Sequence, residues 1–187
     1  MAASAYNPIK DWQIRVLNLH PGHEDDELRG ELVTADLFAD RDGVVLHTLQ
    51  EQVDFRALSY TWGPHDLPDL TETIRIGENN VAITPMLRGA LGAFRLPGES
   101  CYVWVDALCI NQNDDTEKNS QVQKMFTIYG RAKSTMVYLG DAGEHTGLAI
   151  AHLNRPLLPE RQGEQYQRGL FAGLADIYTR PWIRRVK

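Results

Sequence analysis

Short apolar segments bounded by turn-forming residues recur along this chain and predict β-strands. They cover residues 14–19, 28–33, 57–62, 73–76, 81–83, 101–106 and 135–139. Between two of them, Gly77-Glu-Asn-Asn80 has the composition of a hairpin turn. The pattern therefore predicts seven strands, two of them paired in a hairpin.

Three further segments carry apolar residues at helical spacing. The first helix begins with a hydroxyl cap at Thr84 and a proline at position 85, and it ends before Pro97-Gly98. The second begins after Asp114, with Glu117 three residues later in a capping-box arrangement. The third covers residues 164–178. The apolar stripes predicted for the second and third helices are Val122, Met125, Phe126 and Tyr129, and Leu170, Phe171, Leu174, Ile177 and Tyr178.

Strands that alternate with amphipathic helices predict right-handed crossovers and a largely parallel sheet with helices on both faces. The fold class is therefore α/β. We expect a single domain over residues 1–187, with a β-rich N-terminal addition over 1–50 and an α/β core over 51–187.

Composition narrows the class of protein. The chain has 187 residues, of which 43% are hydrophobic and 24% charged, as in ordinary soluble globular proteins. Its net charge of −6 argues against a nucleic-acid partner, and no apolar run is long enough to span a membrane. Residues 1–10 lack the apolar core of a signal peptide. If residues 101–106 form an extended strand, Cys101 and Cys109 lie beyond disulfide reach. These features predict a cytoplasmic protein with reduced thiols.

A polar cluster follows the strand 101–106. Asp106 ends this strand, and Asn111 and Gln112 follow within six residues. At the carboxyl end of a strand such groups can orient a sugar hydroxyl or an amide of a ligand. They can equally satisfy backbone amides of a loop, and the spacing does not separate these two interpretations.

For three nearby residues we favour a structural role over a catalytic or ligand-binding one. Cys109 could be a nucleophile, but an inert buried thiol is favoured because the sequence shows no histidine reserved to activate it. Glu117 and Gln121 lie one helical turn apart beside the loop, and helix capping with solvent exposure is favoured for both. No metal site is predicted, because the His20–Asp26 segment is better explained as a solvated turn.

A second polar group closes the strand 57–62. Ser59, Tyr60, Trp62 and Gly63 could line the same crevice as Asp106, or the aromatic residues could belong to the core and Gly63 to a turn. The sequence contains no glycine-rich phosphate loop, no zinc-type cysteine and histidine set, and no nucleophile elbow. The crevice is expected only if the two polar turns leave neighbouring strands.

An ordered set of motifs resembles the heterokaryon incompatibility (HET) domain of filamentous fungi, from about residue 12 to the end of the chain. The most specific motif is Trp104-Val-Asp-Ala-Leu-Cys-Ile-Asn-Gln112. The others are Ala57 to Gly63, Ile83 to Leu87 with Ala90-Leu91, Glu117-Lys118, Gln121-Val122, Met125, Ile128-Tyr129, Ala132, Val137 to Gly140 and Arg180-Pro-Trp182.

The resemblance implies a role in fungal non-self recognition, in which HET domains act as effectors that trigger cell death. The family is thought to be distantly similar to Toll/interleukin-1 receptor (TIR) domains, which suits a flavodoxin-like order of elements. Some TIR domains cleave NAD with a glutamate, and Arg180-Pro-Trp182 resembles the start of the helix that carries it. In HET domains a Gln-Glu pair usually follows this motif, so the chain looks truncated at Lys187.

Two functions follow from the resemblance. The first is a TIR-like signalling module that acts by self-association or with another incompatibility protein. The second is an NAD(P)-cleaving glycohydrolase or nucleotide-binding domain. No cofactor is certain, and NAD enters only as a substrate. Glu117 is then the nearest carboxylate for the catalytic role. The ligand-binding residues would be Ser59, Tyr60, Trp62, Gly63, Asp106, Cys109, Asn111, Gln112 and Gln121.

Overall fold

In the part of the chain that the structure describes, nine strands form one mixed sheet. The computed structural model describes residues 6–37, 44–46, 51–62, 70–154 and 163–185. The strands are β1 (Gln13–Leu19), β2 (Arg29–Asp36), β3 (Val44–Leu46), β4 (Glu51–Val53), β5 (Phe55–Ser59), β6 (Glu72–Ile76), β7 (Asn79–Ile83), β8 (Cys101–Trp104) and β9 (Ser134–Val137). The helices are α1 (Pro85–Phe94), α2 (Asp106–Cys109), α3 (Asp115–Arg131), α4 (Thr146–Asn154), α5 (Glu164–Thr179) and α6 (Pro181–Arg185).

The main path of the sheet has the strand order β4-β3-β2-β1-β8-β5-β9, and β6 joins through β2 and β7. Along this path β5 is parallel to both β8 and β9, whereas β1 to β4 pair antiparallel and β1 is antiparallel to β8. The connection from β1 to β2 is shorter than a parallel crossover requires. The predicted α/β class is confirmed, with parallel pairing on this path confined to β8, β5 and β9. The flavodoxin-like and TIR-like order stays a prediction.

Residues 1–138 and 139–187 form two compact units. The first contains the whole sheet with α1, α2 and α3, and its core includes β1, β5 and β8. Strands β1 and β2, from the predicted N-terminal addition, belong to this same sheet. The proposed division at residue 50 stays a prediction.

Local signals predict α1 and the hairpin correctly. The Thr84 hydroxyl accepts the Leu87 N–H at 3.1 Å, and Pro85 is the first helical residue. Strands β6 and β7 pair antiparallel around a turn that begins at Gly77, whose φ of 56° suits glycine.

The strand predicted over 101–106 is too long. It ends at Trp104, and Asp106 is the first residue of the short helix α2. The chain turns here because the N–H groups of Leu108 and Cys109 both donate to the Val105 carbonyl oxygen. Asp106 therefore lies in a helical turn that follows the strand.

The second unit contains α4, α5 and α6, and its described core is Ala149, Leu170 and Ile177. The prediction that Phe171 and Tyr178 share the buried face of α5 is wrong, because both are about two-thirds exposed. The buried residues of α5 are Gly169, Leu170, Gly173 and Ile177. Gly173 matters because a Cβ there would overlap the backbone of His145, just before α4. A Cβ at Gly169 would lie 3.1 Å from the end of the Leu148 side chain. The contact between α4 and α5 therefore does not follow the most apolar stripe.

No helix in the described ranges is long and apolar enough to cross a membrane.

Candidate functional site

The two polar turns of the sequence leave neighbouring parallel strands. In the register of β5 and β8, Ala57 lies opposite Trp104. Ser59 and Asp106 each follow two residues later, so the turns after β5 and β8 emerge at the same edge of the sheet. The crevice predicted from the sequence requires the two polar turns to leave neighbouring strands, and they do. Gly63 lies outside the described residues.

The two aromatic residues after β5 differ in burial, which decides whether each belongs to the core or could line the crevice. Tyr60 is buried and belongs to the core, whereas Trp62 is half-buried and packs against it. Ser59 is half-buried, and its carbonyl oxygen accepts the Tyr138 N–H at 2.9 Å. Ser59, Thr61 and Trp62 are thus the described residues of this turn that keep partial access to solvent.

The polar side chains after β8 hold the shape of their own turn. Asp106 Oδ1 accepts the Ala107 N–H at 2.8 Å, and the Gln112 side-chain amide donates to the Asp106 carbonyl oxygen at 2.9 Å. Asn111 Oδ1 accepts the Asn113 N–H at 3.2 Å. All three residues remain half-buried.

A buried ion pair anchors this turn to the sheet and to α3. The Arg15 guanidinium, on β1, contacts the Glu117 carboxylate through two hydrogen bonds of 2.5 and 3.0 Å. Their side chains are only 3% and 12% exposed. Arg15 also donates to the carbonyl oxygens of Cys109 and Asn7, at 3.3 and 2.6 Å. Arg15 therefore joins four separate parts of the chain, and sequence reasoning missed it.

Glu117 completes the anchor on the other side. Its Oε1 accepts the Asn111 N–H at 2.8 Å. Burial alone would raise the pKa of Glu117, but the hydrogen bonds from Arg15 and Asn111 and the charge of Arg15 hold it below its ordinary value. The carboxylate is therefore ionised at neutral pH and held in place by its partners.

The expected capping box and solvent exposure of Glu117 are both wrong. Asp114 does cap α3, since its Oδ1 accepts the N–H groups of Thr116 and Glu117 at 3.0 Å each. The Glu117 carboxylate, however, bonds to the Asn111 N–H, and the Asp114 N–H donates to the Asn111 carbonyl oxygen. Glu117 faces the inside of the protein because Arg15 lies there.

Gln121 is also buried, contrary to its expected exposure. Its side-chain amide donates to the Gln13 carbonyl oxygen at 3.0 Å. The fully buried residues of α3 are Gln121 and Ile128, whereas Val122 and Phe126 of the predicted stripe are 52% and 92% exposed. The apolar stripe predicted for α3 is therefore wrong at these two positions, because polar contacts to β1 set the rotation of the helix.

A surface cavity of about 220 Å³ lies between residues 8–11 and the first turns of α3. Glu117 and Gln121 line it, whereas Ser59 and Asp106 do not. Its volume is below the range typical of small-molecule pockets. Within the described residues, no group of three or more His, Cys, Asp or Glu side chains could hold a metal ion.

Cys109 has the environment of an inert thiol. It is completely buried, its Sγ accepts the Val105 N–H at 3.4 Å, and burial raises its pKa to about 12. We expect iodoacetamide at pH 8 to leave Cys109 unmodified in the folded protein and to label both cysteines after denaturation. Peptide mass spectrometry checks this, with half-buried Cys101 as the internal comparison. Native labelling of Cys109 at the rate of a free thiol would contradict the burial.

Comparison with known proteins decides the family. The family model described as heterokaryon incompatibility protein (HET) matches residues 55–186. The chain belongs to the heterokaryon incompatibility family. It is also 29% identical over 142 residues to heterokaryon incompatibility protein 6, OR allele, of Neurospora crassa. That match covers 69% of this chain and 19% of the Neurospora protein, so the HET chain spans about a fifth of its relative. No solved structure matches it.

Proposed function

We propose that this HET domain takes part in heterokaryon incompatibility as a cytoplasmic cell-death effector that signals through self-association. Membership of the family supports the role in incompatibility. The mode of action, by protein contact, has separate physical support from helix α3.

The observation that carries the proposal is the orientation of α3. This helix turns Glu117 and Gln121 toward the protein and Val122 and Phe126 toward solvent. Val122 and Phe126 lie on one face of the helix and form a small apolar patch. Contiguous exposed apolar surface is a feature of protein contact sites. The contacts of Glu117 and Gln121 with β1 set this orientation, and a protein partner that covers Val122 and Phe126 removes their apolar surface from water.

The residues considered for chemistry support the same proposal. Glu117 is engaged with Arg15 and the Asn111 N–H, and the Cys109 thiol is buried. A catalytic acid or nucleophile needs access to substrate and a pKa near the working pH. Glu117 and Cys109 are better suited to holding the turn after β8 than to reacting with a ligand.

Light scattering over a concentration series tests self-association. We expect the mean molar mass to rise with protein concentration and to fall again on dilution. A strictly monomeric protein over the whole range would contradict the proposal.

A second candidate function is binding or cleavage of NAD. The observation that favours it is the edge of the sheet at which β5 and β8 end. Ser59 ends β5 there, and Trp62, Asp106, Asn111 and Gln112 follow β5 or the adjacent parallel strand β8. All five residues are partly accessible. Such an edge is where α/β proteins bind ligands. Incubation with NAD and chromatographic detection of nicotinamide tests this candidate, and absence of turnover by a longer HET protein would contradict the enzymatic version.

Asp106→Asn separates a ligand-binding carboxylate from one that organises the turn. Asparagine keeps an oxygen that can accept the Ala107 N–H. If Asp106 binds a ligand, the melting temperature should change by less than about 2 °C while NAD turnover or binding is lost. Because asparagine preserves the contact with Ala107, ligand binding that is unchanged in this variant, with the melting temperature measured by differential scanning fluorimetry, would assign Asp106 to the turn alone.

A further inference from the structure

We infer that the self-association surface is the outer face of α3, which packs antiparallel against α3 of a second copy of this chain. This inference rests on the proposed function and names its partner and its geometry. The contact centres on Val122 and Phe126, with Phe126 of each copy against Val122 of the other.

The apolar centre of the surface is well defined. Phe126 lies four positions after Val122, so the two side chains share one face of the helix. Phe126 is 92% exposed, so nearly all of its apolar surface is available for a contact. Aromatic side chains dominate the energetics of interfaces because each can bury 150–250 Å². The flanking exposed residues, Asn119 and Gln123, are polar and uncharged, as expected at the rim of an interface.

The charges along α3 favour a second copy over other occupants. Asp114 caps the helix and Asp115 is its first residue. Arg131 is its last residue, and Lys133 follows two positions later. If Val122 of one copy lies opposite Phe126 of the other, Asp115 lies opposite Lys133, just after the end of α3. Both side chains are exposed at the surface, where they also pair with Lys118 and Asp54 of their own chain. Each acidic end then meets a basic end, and the two helix dipoles are also antiparallel.

The centre of the surface also avoids the repulsion between two negatively charged chains. The protein has a net charge of −6, yet residues 119–130 contain no acidic side chain. At the end of this segment, Gly130 is exposed, and a Cβ placed there would meet nothing within 4 Å. In the same register Gly130 lies opposite Lys118 of the other copy, where it leaves room for that long side chain.

Phe126→Ser tests the apolar centre of the contact. We expect the dimerisation constant, measured by analytical ultracentrifugation, to weaken by at least about tenfold because a buried phenylalanine is replaced by a polar group. The melting temperature should stay unchanged, since Phe126 is exposed. Phe171→Ser is the matched control, because Phe171 is also mostly exposed but lies on α5, and it should leave dimerisation unchanged.

Charge reversal tests the antiparallel register. Asp115→Lys alone should weaken dimerisation by placing two lysines opposite each other, and Asp115→Lys with Lys133→Glu should restore it. Lys133→Glu alone is the control, because Lys133 also pairs with Asp54 of its own chain at 2.7 Å. Failure of the double variant to recover, with a melting temperature equal to that of this control, would overturn the antiparallel arrangement.

The outcomes for the wild-type protein keep the two proposals apart. Association that is insensitive to Phe126→Ser would overturn the α3 surface and leave self-association intact. A wild-type protein that stays monomeric would overturn both. A monomer whose role in incompatibility still requires Phe126 would overturn the second copy as the occupant in favour of another protein.

Discussion

Replacement of Glu117 by alanine is expected to lower the free energy of unfolding by about 3–5 kcal/mol. The substitution leaves the Arg15 guanidinium, only 3% exposed, without the carboxylate that it contacts through two hydrogen bonds. It also removes the acceptor of the Asn111 N–H. A loss of this size is a large fraction of the stability of an ordinary domain.

Urea unfolding of the purified variant measures this loss. Glu78→Ala is the matched control, because Glu78 is 93% exposed and pairs with Arg75 at the surface, at 3.1 Å. Its effect should be below about 1 kcal/mol. A Glu117 variant as stable as this control would show that the buried ion pair contributes little.

The same pair predicts how stability depends on pH. The folded protein holds the pKa of Glu117 below its ordinary value of 4.5, through the balance of burial against the Arg15 and Asn111 contacts described above. A carboxylate whose pKa is lower in the folded than in the unfolded protein stabilises the fold. This stabilisation is fully present above the unfolded-state pKa and is lost as pH falls through the folded-state pKa. We expect wild-type stability to decrease below about pH 4.5, and this decrease to be smaller in Glu117→Gln.

Replacement of Gly173 by alanine is expected to destabilise the contact between α4 and α5 by about 1–3 kcal/mol. A Cβ at this position would overlap the backbone carbonyl oxygen of His145 and crowd the Ala149 side chain at 2.9 Å. Because the nearest atom belongs to the backbone, one helix must shift to make room.

Hydrogen exchange across α4 and α5 localises this effect to the second unit. Gly147→Ala is the control, since Gly147 is exposed on α4 and a Cβ there meets nothing within 4 Å. Alanine at 147 should stabilise the unit by about 0.5–1 kcal/mol. Equal exchange rates in Gly173→Ala and wild type would contradict the close approach of the two helices.

Much of the fold depends on short-range signals and could therefore be predicted from the sequence. Thr84 with Pro85, Asp114, and the Gly77 turn act within a few residues of the elements that they begin or connect. The adjacency of the two polar turns also follows from the alternation of strands and helices. The short strands β3 and β4 and the four-residue helix α2 carry too few residues for a periodic pattern.

The orientation of α3 depends on contacts distant in sequence. The spacing of a buried stripe is shown by Val122, Met125, Phe126 and Tyr129. The side chains that face the protein are instead Glu117 and Gln121. They bind Arg15 and the Gln13 carbonyl oxygen, which lie more than 100 residues away in the sequence. One signal was available, because Arg15 interrupts the apolar strand β1 and a buried arginine requires a carboxylate. The adjacency of the two polar turns could therefore be predicted from the strands, whereas the contacts of Glu117 depend on a partner that the local pattern does not reveal.

The coupling free energy between Arg15 and Glu117 tests most directly whether Glu117 serves to anchor the turn after β8. It is obtained from urea unfolding of the wild type, Arg15→Met, Glu117→Gln and the double variant. If Glu117 anchors the turn, the loss of unfolding free energy in the double variant should be smaller than the sum of the two single losses by about 2–3 kcal/mol. Losses that add to within about 0.5 kcal/mol would contradict it, and Glu117 would again be open to a role in chemistry.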